Sequence, residues 1–439
     1  MRIFTLIWCG QLASSMGSYM TFFALTLWTW EQTESATALA LITFCLQLSQ
    51  IPTTLFAGLV VDRFNRKHLM LFGDAINAVA TCVVGFLHLT QQLQIWHLYL
   101  VAAIAGSFMQ IQVLAYQASM AVIVPKSQYT RANAMGATVH YGSTIVGPAL
   151  AGSLYPAIGL SGIIGIDLTT FGIAFLTLLA APIPNPVSPS KPSSGQREPL
   201  TRQLTFGLRH ILRQPSLKAL LLLSAMFTFA HDLGATVSQP MILARSGGDA
   251  QVLASVSAAA GVGGVAGAVI ISLWGGPKQR IRGVLGGMLG AGLSKMVFGL
   301  GRSLPVWVPA QVSSSLNFPL LGSCRGALWM ESVTPQIQGR IFSAKSLVFQ
   351  IASLGAVVCA GPLADQVFEP AMQTGAIAVP FLTTLFGRGA GSGMAIMYTF
   401  CSLGLVLVAI WGMFNPYLKR FDASSDTSST DSQPVPGQS

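Results

Sequence analysis

Few ionisable side chains stand inside the apolar runs of this chain: Asp74, Asp167, His231, Asp232 and Lys295, with Arg325 near the end of a further run. Carboxylates and imidazoles in such surroundings can take up and release protons. Burial disfavours the charged form, and neighbouring charges or hydrogen bonds move the balance. A charge at mid-membrane costs about 2.5–3.5 kcal/mol on insertion scales, so each calls for a reason. His231 and Asp232 are adjacent and both titratable, which makes them candidates for proton coupling. A hydrogen-bonded structural pair is the alternative, although neighbouring helical residues point about 100° apart and need not touch. Asp167 is a third candidate, although its place at the start of a run favours a structural role. Asp74 lies about a turn into its run, close to the basic stretch treated below.

Uncharged polar side chains form stripes at helical spacing. Gln11, Ser14, Ser15 and Ser18 share one face, as do Thr43, Gln47, Gln50 and Thr54. Ser107, Gln110 and Gln117 form a third stripe, and Gln311, Ser313, Ser314, Ser315 and Asn317 a fourth. Polar faces in lipid must look toward other helices or water. Gln11, Ser15, Gln47, Gln110, Gln117, His140, Gln311 and Asn317 are therefore candidate cavity residues, with helix-to-helix hydrogen bonding open for each. A weakly charged polar wall interleaved with Phe, Met and Trp suits a mid-sized amphipathic molecule better than an ion or a sugar.

Enzyme chemistry finds no support. H-E-x-x-H, P-loop and G-x-S-x-G patterns are absent from suitable contexts. "GRGAGSG" (387–393) resembles a phosphate-binding loop only superficially, because it follows no strand and opens an apolar run. It reads as a flexible turn. Cys9, Cys45, Cys82, Cys324, Cys359 and Cys401 lie in apolar runs without metal-ligand spacing and read as packing residues. Neither metal nor cofactor is expected. A proton gradient is the candidate energy source.

The elements that must position these residues follow from composition. Of 439 residues, 52% are hydrophobic and only 9% charged. A soluble chain carries roughly 25% charged residues, so the bilayer is the solvent. Runs of about 20 apolar residues fall near 4–29, 37–60, 69–90, 96–120, 132–155, 160–181, 217–240, 251–274, 283–302, 305–329, 341–363 and 391–414. Continuous runs favour helices over a barrel. The expected class is all-α integral membrane, with twelve transmembrane helices. Of the 24 Lys and Arg residues, only Arg245, Arg302 and Arg388 fall in outer connections when the N-terminus is inside. That bias sets both termini at the cytoplasm. The net charge of +10 is spread over short connections and is no nucleic-acid footprint.

Residues 182–216 are Pro/Ser-rich and then basic, and read as a cytoplasmic linker entering a short amphipathic helix. The expected plan is a six-helix bundle over 1–181, this linker, a second bundle over 217–415, and a disordered cytoplasmic tail over 416–439. An internal repeat supports equivalent halves. Pro125, Arg131 and "GPALAGSLYP" (Gly147–Pro156) return as Pro335, Arg340 and "GPLADQVFEP" (Gly361–Pro370). Two parallel six-span halves are a transporter plan.

Gly58-x-x-x-Asp62-Arg63-x-x-Arg66-Lys67 between the second and third runs resembles the signature loop of the major facilitator superfamily. "WCGQLASSMGS", "RANAM", "GPALAG", "IDLTTF", "QGRIFS" and "GPLADQVFEP" narrow the resemblance to the macrolide-efflux and enterobactin-exporter-like subfamily. It covers about residues 1 to 415 and implies two pseudo-symmetric six-helix bundles. It also implies that Gly58, Asp62, Arg63, Arg66, Lys67 and Asp74 form a conformational latch on the cytoplasmic side. On physical grounds Gly58 lets helix ends approach, and Asp62 can cap the third span or meet a cation on a neighbouring helix. The basic residues hold the loop on the anionic leaflet. Gly142, Gly147, Pro148 and Gly152 are similar to an exporter-type helix motif, in partial form because Ala151 stands where a second Gly is usual. Asn77 replaces an Arg common in the family, and the fourth span lacks the embedded Arg typical of proton-driven drug antiporters.

The expectation is a secondary transporter of the bacterial inner membrane. It exports an amphipathic drug, siderophore or natural product by alternating access, with proton antiport as the candidate mode. The alternatives are a lipid or lysophospholipid transporter and a non-transporting sensor. Partners are the substrate and the bilayer, with no nucleic acid, and a monomer is the default.

Overall fold

The computed structural model describes residues 2–124, 129–181, 200–277, 279–333, 337–373 and 380–421. Within its helices, the side chains of residues 54–63 and of several positions from 110 to 141 lie outside that description. Every regular element among the described residues is helical, as lipid requires of a chain that must satisfy its own backbone hydrogen bonds. The order begins α1 (Arg2–Thr33), α2 (Ala36–Arg63), α3 (Arg66–Leu89), α4 (Ile95–Ile123) and α5 (Tyr129–Ala180). It continues with α6 (Leu200–Arg213), α7 (Pro215–Ser246), α8 (Ala250–Trp274), α9 (Arg280–Leu300), α10 (Leu304–Glu331) and α11 (Gln338–Pro362). A π-helical turn (Leu363–Phe368) then leads to α12 (Glu369–Gln373), α13 (Pro380–Phe386) and α14 (Ser392–Phe414). The linker over 182–199 and the tail over 422–439 lie outside the described residues. The first residues expected of that tail are held by the second half, where Leu418 is buried in its core.

Eight helical stretches among the described residues are long and apolar enough to cross a membrane by length and composition. The stretch Gly142–Ala180 counts once in that set, and α1 and α10 fall outside it. Those two helices carry polar stripes, which lower their apolar content. The α5 run has 52 residues, about 78 Å at 1.5 Å per residue, against a hydrocarbon core of about 30 Å. It is two helices joined at Gly159, whose φ of 61° and ψ of −171° break the run. A residue with a Cβ adopts that backbone only with strain. The chain doubles back there along α1. The Trp8 indole donates to the Met135 carbonyl at 2.7 Å, while Gly10 abuts Thr177 and Gly17 abuts Asp167 and Thr170. Gly10 and Gly17 on α1 let the second arm of α5 come close, and Gly147 on the first arm does the same against Met16 and Tyr19.

The two sequence halves meet along two seams, α2 against α11 and α5 against α8. A Cβ on Gly361 would run into Thr37, and one on Gly152 would stand 3.0 Å from the Ala250 carbonyl oxygen. Both contacts lie at the end of the molecule that carries residues 34–35, Gly159 and 247–249, called here the Gly159 end. At the opposite end, α6 packs on α7 and α11. It buries Ile211 and leaves Phe206, Leu208 and Leu212 exposed beside Arg209 and Arg213.

Candidate functional site

The polar centre is built where α2, α7, α9, α11 and α14 converge. Ser353 on α11 donates to Oε1 of Gln47 on α2 at 3.3 Å, a polar contact between the halves. Ser353 also faces the Asp232 carboxylate on α7, and Lys295 of α9 is within electrostatic reach of both Asp232 and His231. The Lys295 ammonium is buried and donates to the Tyr398 hydroxyl of α14 at 3.2 Å. It also stands 5.4 Å from the centre of the Tyr398 ring. His231 stacks on Phe227 with ring centres 6.0 Å apart and tilts onto Phe318 at 4.9 Å. Its Nδ1 is buried with no hydrogen-bond partner among the described residues. Lys295 and Asp232 lie on different helices, so only folding brings these charges together.

The other sequence-derived candidates separate in space. Asp167 is buried against α1, beside Ser18 and Thr21 and facing Gly17. Asp74 is buried inside the first half and accepts from Gln112 of α4, with Gln11 of α1 beside it. Gln11 and Gln47 therefore serve opposite sides of the polar network, one within the first half and one between halves. Ser15 is half-buried on α1. Gln311 reaches Ser315 one turn along its own helix at 3.5 Å. Asn317 donates to the Ser313 carbonyl at 2.7 Å and packs against Gly290 of α9. The side chains of Gln110, Gln117 and His140 lie outside the described residues.

The signature loop is shorter than expected. α2 runs through Arg63 and α3 starts at Arg66, leaving Phe64 and Asn65 as the connection. The cap of α3 is Asn65, whose Oδ1 accepts from the Lys67 backbone N–H at 2.9 Å, and Asp62 does not fill that role. The reason is reach: Asp62 is still in the last turn of α2, whereas Asn65 has the extended backbone a cap needs. The side chains of Gly58, Asp62 and Arg63 lie outside the described residues. Lys67 donates its ammonium to the Leu179 and Ala181 carbonyls, each at 2.8 Å. These are orphan acceptors at the end of α5, and a cation is favourable there.

The exporter-type motif divides its contacts. Gly147 packs on Met16 and Tyr19 of α1, whereas Gly152 packs on Ala250 and Ala254 of α8 in the other half. Pro148 is buried between them, and Gly142 has open space where a Cβ would stand.

The "GRGAGSG" stretch is no free turn. The Glu369 carboxylate accepts from the backbone N–H groups of Gly391 at 2.6 Å, Gly393 at 2.9 Å and Met394 at 3.2 Å. The loop does cradle an anion at a helix N-terminus, and the anion is the protein's own. Two of the outer-connection arginines have matching uses. Arg245 donates to the Phe386 carbonyl at 2.9 Å, and Arg302 donates to the Thr384 and Leu385 carbonyls at 2.7 and 2.8 Å. All three acceptors lie at the end of α13.

The pattern of the Major Facilitator Superfamily matches residues 7–357. The chain belongs to this superfamily. It is a multi-pass membrane transporter rather than an enzyme. Macrolide efflux protein A of Streptococcus pyogenes is 26% identical over 376 residues, covering 83% of this chain and 90% of that protein. Multidrug efflux pump Tap of Mycobacterium tuberculosis (strain CDC 1551 / Oshkosh) is 23% identical over 366 residues, covering 82% and 86%. Among solved structures, an inward-facing bacterial homologue of the iron transporter ferroportin superposes with a TM-score of 0.69. It is 14% identical, with 96% of this chain and 99% of that chain covered, and so shares the fold.

Several residues of the transporter escaped the sequence reading. Ser353 and Tyr398 carry no charge and gave no signal. Asp365 and Glu369 sit inside the repeated motif, where the first copy has Ala151 and Tyr155. That departure from internal symmetry is the signal that would have found them.

Proposed function

We propose that this transporter exports an amphipathic small molecule by alternating access, in exchange for protons. The reading takes the chain as twelve spans in two bundles, 1–181 and 217–415, with a linker over 182–216 and a tail over 416–439. Both termini lie at the cytoplasm of a bacterial-type inner membrane, and the working unit is a monomer. The observation that carries it is the Gln47–Ser353 contact between halves with Asp232 beside it. A protonatable carboxylate at the seam can report its charge to both halves. The efflux relatives support the outward direction. Gln11, Ser15, Gln47, Gln110, Gln117, His140, Gln311 and Asn317 are the proposed cavity residues. Gly58, Asp62, Arg63, Arg66, Lys67 and Asp74 are the proposed latch. His231 and Asp232 are the proposed coupling pair, and Asp167 serves the α1 contact.

The test has two arms. Expression in a pump-deleted host lowers the accumulation of a macrolide probe, and unchanged accumulation across a panel of amphipathic drugs overturns export. In inverted vesicles an imposed pH gradient drives probe uptake, and gradient-independent uptake overturns proton exchange.

A second reading, transport of a lipid or lysophospholipid, is favoured by one observation. A half-open, mostly apolar groove of about 450 Å³ beside α3 is lined by Phe64, Leu69, Phe72, Phe108 and Ile111, with Asn65 and His68 also on its wall. A change in leaflet composition without drug efflux selects that reading.

A further inference from the structure

The start of α2 is capped by the other half of the molecule. Asp365 on the π-helical turn accepts from the backbone N–H of Ala36 at 3.1 Å through Oδ1. Its Oδ2 accepts from the Thr37 N–H at 2.8 Å and from the Ser35 hydroxyl at 2.6 Å. The Ser35 Oγ in turn accepts from the Ala38 N–H at 3.3 Å. The first N–H groups of a helix have no partner within the helix and carry its positive end. Here those of Ala36 and Thr37 are satisfied by a carboxylate 329 and 328 residues away in sequence.

The matching helix of the second half is arranged differently. α8 is capped by its own Asp249, whose Oδ1 accepts from Gln251 N–H at 2.8 Å and Val252 N–H at 3.2 Å. That cap survives any movement between halves, as does the Ser35–Ala38 bond at the start of α2, whereas the bonds from Asp365 to Ser35, Ala36 and Thr37 do not. Asp365 occupies the repeat position of Ala151, so the first half offers no equivalent carboxylate to α8. Beside Asp365 the halves touch through backbone, with Gly361 against Thr37, and on the other seam Gly152 lies against Ala250. Glu369, at the end of the same turn, serves α14 within its own half.

We propose that Asp365 is the positioning residue of a polar clasp that holds the Gly159 end of the transporter closed. Opening that end takes the carboxylate from the Ala36 and Thr37 N–H groups and leaves α2 with the Ser35 cap alone, and closing it restores the carboxylate. The clasp therefore biases the transporter toward the state closed at this end. The inference rests on the alternating-access reading but needs no particular cargo or coupling ion.

The test measures distance and not transport. Spin labels are placed at Gln91 and Gln251, both exposed at the Gly159 end on opposite halves, in full-length protein whose native cysteines are replaced by serine. Asp365→Asn is expected to raise the ratio of long-distance to short-distance populations by about tenfold, the equilibrium effect of losing one charge-assisted hydrogen bond. Asp365→Glu keeps the carboxylate and is expected to recover part of the short-distance population. Ser35→Ala removes one donor and is expected to shift the ratio the same way by less. Glu369→Gln, a cap within one half, is expected to leave the distances unchanged. An unshifted distribution in Asp365→Asn overturns the clasp, as does an equal shift in Glu369→Gln. If Asp365→Asn does not fold, an unshifted Ser35→Ala overturns it. Loss of the drug-efflux or pH-gradient result would leave this distance result standing.

Discussion

Asp365 lies on the π-helical turn and Glu369 directly follows it, yet their carboxylates serve helices in different halves of the transporter. Asp365 holds the start of α2 and Glu369 holds the start of α14. One short segment is thereby tied to the seam between halves on one side and to the start of α14 within its own half on the other. A π-helical turn widens the local helix and re-aims its side chains, which is how two nearby acids can point to different helix ends.

The hold on the start of α14 can be tested through stability. Glu369→Gln replaces one of the two accepting oxygens by an NH2 donor and leaves the other neutral, so at least one of the three N–H groups loses its acceptor. It is expected to cost about 1–2 kcal/mol, typical of a charge-assisted cap at a helix N-terminus. Thermal unfolding in detergent checks this, and an unchanged midpoint would show that the glycine-rich loop does not depend on the carboxylate.

The seam between α5 and α8 depends on the absence of a side chain at position 152. Gly152→Val places methyl groups against the Ala250 backbone and the Ala254 side chain. Transport is expected to fall at least about tenfold, the effect of roughly 1.4 kcal/mol on the conformational equilibrium. Membrane expression is expected to persist. Full transport with normal expression would show that the halves need not approach closely here.

Proton exchange is expected to run through Asp232. Asp232→Asn cannot lose or gain a charge, so uptake into inverted vesicles becomes insensitive to the pH gradient. Substrate counterflow at equal pH on both sides, which needs no proton movement, is retained. If gradient-driven uptake survives the substitution, the coupling carboxylate lies elsewhere, and Asp167 and His231 become the residues to exchange next.

Lys295 and Tyr398 give an asymmetric expectation. Tyr398→Phe removes the hydrogen-bond acceptor of a buried ammonium and is expected to destabilise by about 1–3 kcal/mol. Adding Lys295→Met removes the orphaned cation and is expected to recover most of that loss, since apolar replacements of buried ions are often neutral. Additive losses in the double variant would show that the two side chains act independently.

Much of this architecture is legible in the sequence because lipid imposes simple rules. Apolar runs must be helices, and short connections rich in Lys and Arg mark one side. The stretch over Tyr129–Ala180 is readable as two passes, near 132–155 and 160–181, while its break at Gly159 is seen in the backbone. Polar residues inside apolar runs flag themselves, so His231, Asp232, Asp74, Asp167 and Lys295 stand out by residue type alone. The repeat of Gly147–Pro156 in Gly361–Pro370 likewise announces two related halves.

Pairing is what only the tertiary structure decided. Sequence spacing reports neighbours on one helix, whereas Ser353 with Gln47, Lys295 with Tyr398 and Asp365 with Thr37 join residues on different helices. The sequence offered Asp62 as a cap for α3, but the position of the helix end made Asn65 the cap. It offered the 387–393 stretch as a loose turn, but a distant carboxylate fills it. In each case a backbone N–H or a buried charge had to find a partner somewhere. Composition determines that the partner must exist, and only the packed arrangement of helices determines which residue it is.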